Sequence, residues 1–379
     1  MMKPRERVLA ALDHREPDRV PLDFLGGVSS ITLQAYVKLK EHLGLPWEGE
    51  KYDSWNGMVT IDPGILRLFG IDFRKIGLNL PAGWQSKIYP DNTFLDEWGL
   101  RRKPSPDGLY NEIVPTLKNA ADQDDIESHP WPDPQAPGLV DGLEKEAREL
   151  ENAGWAVATA SIGGGIFEIA WWLRGFTNFI KDLYKNPSFA HCLLSKITDV
   201  QIALLDILLG EVGDHVVMVQ IEDDLGSQAG PLISFTLYRK YITPYHKKLC
   251  DFIHSRTSAK IMIHSCGAIE GFIPDLIDAG IDVLNPVQPR AKGMDSKKLK
   301  EKHGDRICFH GGVDTQEVLP RGTSQDVEEE VRERIKAFAH NGGYILAPSH
   351  NIQIDTPPEN VIAMYEAAQK HGQYSSFYT

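Results

Sequence analysis

The chain has 379 residues, 42% of them hydrophobic and 25% charged, with a formal net charge of -13. That balance belongs to a folded globular protein, long enough for one large α/β barrel with an insertion or for two domains. An acidic chain with no Lys/Arg run excludes nucleic acid and anionic membrane surfaces as expected partners. Met1 to Pro21 is charged and holds no apolar core of signal-peptide length, and no span approaches about 18 consecutive apolar residues. A cytoplasmic protein is the expectation. Cys192, Cys250, Cys266 and Cys308 are scattered rather than arranged as a disulfide framework, so their thiols are expected to be reduced.

Pro4 to Leu12 predicts a short helix with Val8, Leu9 and Leu12 on one face. Arg19 to Phe24 reads as a first strand ending in Gly26-Gly27, followed by a helix over Thr32 to Leu43 and a second strand over Ile71 to Ile76. From about residue 79 to 141 the pattern changes. Trp84 to Tyr89, Thr93 to Arg101 and Leu109 to Val114 alternate apolar and polar residues between turn formers, which predicts an antiparallel β insertion. His129 to Gly138 carries four prolines and reads as a rigid connector.

Beyond the insertion the rhythm is regular. Strands are expected at Trp155–Ser161, Val216–Ile221, Lys260–Ile263, Ile281–Leu284, Arg306–Phe309 and Gly343–Ala347. Between them lie helical segments from about Phe167, from Asn186-Pro187 to Leu209, and over 235–254, 269–279, 296–303 and 324–338, with a last helix over 358–369. Short apolar runs alternating with helices mark a parallel sheet buried on both faces. About eight such units in one chain of this length predict a single α/β domain over residues 1–379, a (β/α)8 TIM barrel with a small antiparallel β insertion. A doubly wound open sheet is the runner-up, but no G-x-G-x-x-G follows the first strand.

A barrel of this kind carries its site at the carboxyl ends of the strands, and those ends are rich in chemistry. They read Gly163-Gly164-Gly165, Glu222-Asp223-Asp224, His264-Ser-Cys266-Gly267, Asn285, His310-Gly-Gly-Val-Asp314 and Ser349-His350-Asn351. Residues two apart on a strand share a side, so His264 and Cys266 both reach one point, and imidazole with thiolate is a preferred zinc donor pair. A buried histidine beside an inert core cysteine is the bland alternative. His350 is the natural third ligand. Three adjacent acids repel one another unless a cation or buried donor compensates. Glu222 and Asp224 share one side and Asp223 the other, and one of the three is expected to serve as a catalytic group or ligand. Gly164 and Gly165 remove side chains where a flat ligand could approach the backbone. Asn285 and His310 are expected to line the mouth, and Asp314 to orient a ligand or cap the following turn. Cys308, inside a strand, is expected in the core.

The pieces Arg5-Glu-Arg-Val-Leu-Ala-Ala-Leu12, Pro17-Asp-Arg-Val-Pro21, Asp223-Asp-Leu-Gly226, Pro244-Tyr245, His264-Ser-Cys-Gly267, Gly311-Gly-Val-Asp314, Leu346-Ala-Pro348 and Thr356-Pro-Pro-Glu-Asn360 resemble the uroporphyrinogen decarboxylase-like superfamily. The likeness runs almost from end to end and implies the same barrel. Decarboxylases of the superfamily hold the carboxylates of their substrate through arginines near the amino terminus. The corresponding stretch here, Leu22 to Ser30, contains none. The other branch holds zinc methyltransferases that work with a corrinoid protein through a His-x-Cys pair, which His264 and Cys266 match. Coenzyme M-type members add a second cysteine after the last strand; here the corresponding residue is Ser349 or His350, which makes O-demethylase-type members an equally close likeness. The resemblance therefore implies Zn2+ on His264, Cys266 and His350. It implies methyl transfer between a small methoxylated or thiol substrate and the cobalt of a corrinoid (cobalamin) carried on a partner protein. No Asp-x-His-x-x-Gly motif is present to carry the corrinoid on this chain. The alternatives are a porphyrinogen decarboxylase and a barrel that only docks a corrinoid protein.

Overall fold

The computed structural model describes residues 2–24, 29–51, 57–105 and 111–377. Its strands are β1 (Phe73–Ile76), β2 (Phe94–Leu95), β3 (Arg101–Pro104), β4 (Asn111–Val114), β5 (Ala156–Thr159), β6 (Met218–Glu222), β7 (Lys260–His264), β8 (Val283–Val287), β9 (Cys308–Val313) and β10 (Tyr344–Pro348). Seven of them form one parallel sheet in the order β1-β5-β6-β7-β8-β9-β10. Such a sheet is covered by helices outside and by its own side chains inside, so its strands read as unbroken apolar runs. β8, β9 and β10 are buried at every position.

The sheet curls, and residues 20–24 stand in the eighth place. Leu346 N donates to Pro21 O and Asp23 N to Leu346 O on the β10 side, while Asp72 N donates to Leu22 O on the β1 side. Pro21 has no N–H to give a ladder, which is why the expected first strand reduces to isolated bridges. Side chains close the seam instead. The buried Asp72 carboxylate accepts from Leu22 N at 2.9 Å and from Arg7 Nη1 at 2.6 Å, and Arg19 Nη1 reaches it at 2.8 Å. The arginines of the amino-terminal motif thus hold the barrel shut.

The insertion follows the carboxyl end of β1 and forms the three-stranded antiparallel sheet β2-β3-β4. The single strand expected over Thr93–Arg101 is broken in two. Asp96 Oδ1 accepts from Trp98 N and Leu100 N, each at 2.9 Å, and Gly99 takes φ 67, so Asp96–Gly99 folds into a tight turn. The Gly26-Gly27 pair and residues 109–110 of the expected third strand lie outside the described residues.

Most helices match their sequence signals. Pro4–Leu12 and Ser296–His303 have the expected bounds, and Pro187–Val212 starts from Asn186, whose Oδ1 accepts from Phe189 N at 3.5 Å. The helix expected over 235–254 is interrupted by a π-turn, Tyr238–Ile242, before continuing as Thr243–Arg256. Tyr238 OH meets His246 Nδ1 at 3.0 Å across that turn. Among the described residues no helix is long and apolar enough to cross a membrane.

Candidate metal centre

His264 closes β7, and its neighbour in register is Glu222 at the end of β6. Ser265 then turns the chain, its Oγ accepting from Leu225 N at 3.1 Å. Gly267 finishes the turn with φ 83; a Cβ there would lie 2.6 Å from Ser227 O. This forced turn sets Cys266 Sγ 3.2 Å from His264 Nε2. His350, two residues beyond β10, packs edge-on to His264 with ring centroids 5.7 Å apart. One donor atom from each of His264, Cys266 and His350 lies within 4.8 Å of the others. Donors of a tetrahedral zinc, at bonds of about 2.0–2.3 Å, stand roughly 3.3–3.8 Å apart, so this set needs little movement to fit one. Asp224 Oδ1 stands 3.7 Å from His264 Nε2 while accepting from Cys266 N at 2.7 Å, close enough to join the set.

The histidines are held in the form a metal requires. His264 Nδ1 meets Asn285 Oδ1 at 2.6 Å, Asn285 Nδ2 meets His310 Nδ1 at 2.7 Å, and His310 Nε2 meets Asp23 Oδ2 at 2.9 Å. An amide oxygen only accepts and an amide nitrogen only donates. His264 must therefore donate from Nδ1 and leave its Nε2 lone pair facing Cys266, while His310 accepts at Nδ1 and donates from Nε2 to Asp23. Burial pushes both His264 and His350 down to about 4, so both rings are neutral at neutral pH. Burial, and then the Asp224 carboxylate, push the Cys266 thiol well above its ordinary range. A divalent cation would reverse that balance, because a coordinating thiol is deprotonated.

The family model for uroporphyrinogen decarboxylase (URO-D) matches residues 109–371. The chain belongs to the uroporphyrinogen decarboxylase family. The uroporphyrinogen decarboxylase of Pelodictyon phaeoclathratiforme is 26% identical over 282 residues, covering 69% of this chain and 73% of that protein. That of Chlorobium chlorochromatii is 25% identical over 273 residues, covering 67% and 70%. Among solved structures, a methyltransferase from Methanosarcina mazei shares the fold at a TM-score of 0.66 over 100% of both chains, with 19% identity.

In this uroporphyrinogen decarboxylase-family barrel the expected site residues divide into two groups. His264, Cys266, His350, Glu222 and Asp224 gather at the mouth. The others are taken up by the protein itself. Asp223 is fully buried on the opposite side from its neighbours; it accepts from Phe167 N and Glu168 N at 3.0 Å and meets His246 Nε2 at 2.7 Å. It anchors the helix Ile166–Arg174 rather than facing a ligand. Asn285 and His310 are also fully buried, and the relay behind His264 engages their side-chain polar atoms, so they orient His264 from behind instead of lining the mouth. Asp314 accepts from Gln316 N at 2.9 Å and Val318 N at 3.3 Å and pairs with Arg290, capping its turn. Gly164 and Gly165 give room to the chain's own atoms. A Cβ on Gly164 would lie 2.3 Å from the Trp172 ring, and one on Gly165 would lie 2.3 Å from Asp223 Cα and Glu222 O. Cys308 is in the core as expected.

Two contributors escaped sequence reasoning. Gln288 donates from Nε2 to Cys266 Sγ at 3.3 Å and accepts from Gly267 N at 2.9 Å; its position just past β8, three residues beyond Asn285, was the available signal. Glu168 stands at the start of Ile166–Arg174, its Oε2 accepting from Gly165 N at 3.2 Å. Burial first, then Asp224, Asp223 and Glu222, raise its carboxyl far above the usual range. Burial likewise lifts Glu222 to about 7, and lifts Asp224 against the pull of Cys266 N and His350. The mouth is a cluster of carboxyls whose burial and mutual repulsion raise their hold on protons.

Proposed function

We propose that this chain is a zinc-dependent methyltransferase that moves a methyl group between a small methoxylated or thiol substrate and the cobalt of a separate corrinoid protein. The observation that carries the reading is the convergence of His264, Cys266 and His350 within 4.8 Å, backed by a relay that fixes the metal-binding tautomer. The name of the Methanosarcina neighbour agrees with it. His264, Cys266 and His350 would hold the metal, with Asp224 beside them. The cation supplies a Lewis acid for the heteroatom that carries or receives the methyl group. The chain's own residues do the rest. Asn285 aims His264, and Gln288 and Asp224 fix the Cys266 turn from both sides. Glu222, near 7, exchanges the proton that a leaving alkoxide gains or an attacking thiol loses.

The curated relatives carry the name uroporphyrinogen decarboxylase, which makes decarboxylation the second reading. The charge at the mouth opposes it. Beside the His264–Cys266–His350 cluster stand the acids Glu168, Glu222 and Asp224, with Lys75 drawn to Glu222 and Arg290 paired with Asp314, so a polycarboxylate would find little counter-charge. The deciding experiment is zinc content by elemental analysis of the purified chain and of Cys266→Ser. It is joined to methyl transfer from methoxy compounds to cob(I)alamin, followed by absorbance. About one zinc per chain, lost in the variant together with transfer, is the expected result. A folded, zinc-free wild type that converts uroporphyrinogen to coproporphyrinogen would overturn it.

A further inference from the structure

Between the insertion and the barrel lies a cavity of 490 Å³ that no residue of the metal centre lines. Pockets of roughly 300–1,000 Å³ accommodate small organic ligands. Its walls are the indoles of Trp84, Trp98 and Trp131 with prolines and aliphatic side chains, and its floor is Ala160–Gly163, just past β5. Two of the indoles are fixed in advance. Trp131 Nε1 donates to Ile126 O at 2.8 Å, and Trp98 packs so tightly on Gly163 that a Cβ there would lie 2.3 Å from its Nε1. A rigid aromatic wall loses little entropy on binding.

The walls also state what they exclude. Among the described lining residues Lys87 is the one base, against Glu97 and Asp133, while Asp96 is paired with the buried Arg102. Such a lining attracts flat, uncharged rings by stacking and repels polycarboxylates. The floor leads to the chemistry: Ser161 lies beside Glu222, which pairs in register with His264. β5 and β7 are separated by β6 alone, so the cavity floor and the metal ligands stand two strand spacings, about 10 Å, apart.

We propose that this tryptophan-lined cavity binds the neutral aromatic body of the small substrate, leaving its reactive end to reach the His264–Cys266–His350 centre. The role as substrate site rests on the methyl-transfer reading; the binding does not. Binding energy gathered on a part of the substrate that does not react is then available to position the part that does.

The test is calorimetric titration with 2-naphthol, a neutral ring probe with no methyl group to transfer, beside naphthalene-2,6-dicarboxylate. Wild type should bind 2-naphthol saturably and the dicarboxylate at least about tenfold more weakly. Trp84→Ala, at a half-buried loop position, should weaken 2-naphthol about tenfold, the worth of one stacked ring. Ala136→Trp, which fills the cavity from the insertion side, should abolish binding, with thermal unfolding confirming that both variants fold. Absence of binding in a zinc-loaded wild type, unchanged binding in both cavity variants, or equal binding of the dicarboxylate would overturn the proposal. A zinc-free wild type whose 2-naphthol binding still follows Trp84 and Ala136 would instead remove the methyl-transfer reading and leave the aromatic site standing.

Discussion

Replacing Asn285 by Ala tests whether the metal centre is built from behind. Asn285 is fully buried and joins two imidazoles, accepting from His264 Nδ1 and donating to His310 Nδ1. Alanine strands one buried donor, His264 Nδ1, and two buried acceptors, His310 Nδ1 and Ser29 Oγ. Each costs about 1–3 kcal/mol, so the metal-free protein should lose roughly 3–9 kcal/mol before any water enters. The second effect is on the metal. Without its partner His264 is free to rotate or change tautomer, and loss of such an outer partner lowers metal affinity about 10–100-fold. Zinc affinity would be measured by competition with a chromophoric chelator and stability by urea unfolding of the metal-free chain. Asn285→Asp is the control. It keeps an acceptor opposite His264 and should hold zinc within a few-fold of wild type, while the bond to His310 is lost and stability falls. A folded Asn285→Ala protein with wild-type zinc affinity would refute the reasoning, and so would an Asp variant as impaired as the Ala one.

The remaining predictions concern the acids and the glycines beside them. Glu222 is raised from 4.5 to about 7 in the folded chain, so between those values the folded state holds a proton that the unfolded state releases. Stability of the metal-free protein must then fall as pH rises through that window, by about 3 kcal/mol in all. Glu222→Gln should recover most of that above pH 8 and little near pH 5; unfolding midpoints that shift equally at both would contradict it. Gly165 has an ordinary φ of -75 but no room for a methyl group, so Gly165→Ala should cost about 1–3 kcal/mol in thermal unfolding through overpacking. A neutral result would mean that the strand end yields. Asp223→Ala strands Phe167 N, Glu168 N and His246 and should destabilise by about 3–5 kcal/mol with zinc stoichiometry intact. Lost zinc at unchanged stability would restore Asp223 as a ligand.

The sequence by itself determined the features that depend on local period. The H-x-C spacing at the end of an apolar strand was enough to expect His264 beside Cys266, although it is the turn over Ser265 and Gly267, beyond the end of β7, that brings the two together. The two-residue period of a strand separated Asp223 from Glu222 and Asp224, and the alternation of apolar runs with helices announced the barrel. What lies between elements was decided only by the tertiary structure. That Asp223 faces a helix and His246, and that Asn285 and His310 stand behind His264, follows from the stagger of neighbouring strands, which no single run of residues encodes. Glu168 enters the acid cluster because the turn over Gly164 and Gly165 packs flush against Trp172 and the end of β6. In the chain it is one glutamate at the start of an apolar helix. The π-turn at Tyr238 was hidden for the same reason: an ordinary amphipathic pattern gains one residue per turn where Tyr238 and His246 meet in the interior. Residue chemistry could be read along the chain, whereas the direction each side chain faces was fixed by packing between strands far apart in sequence.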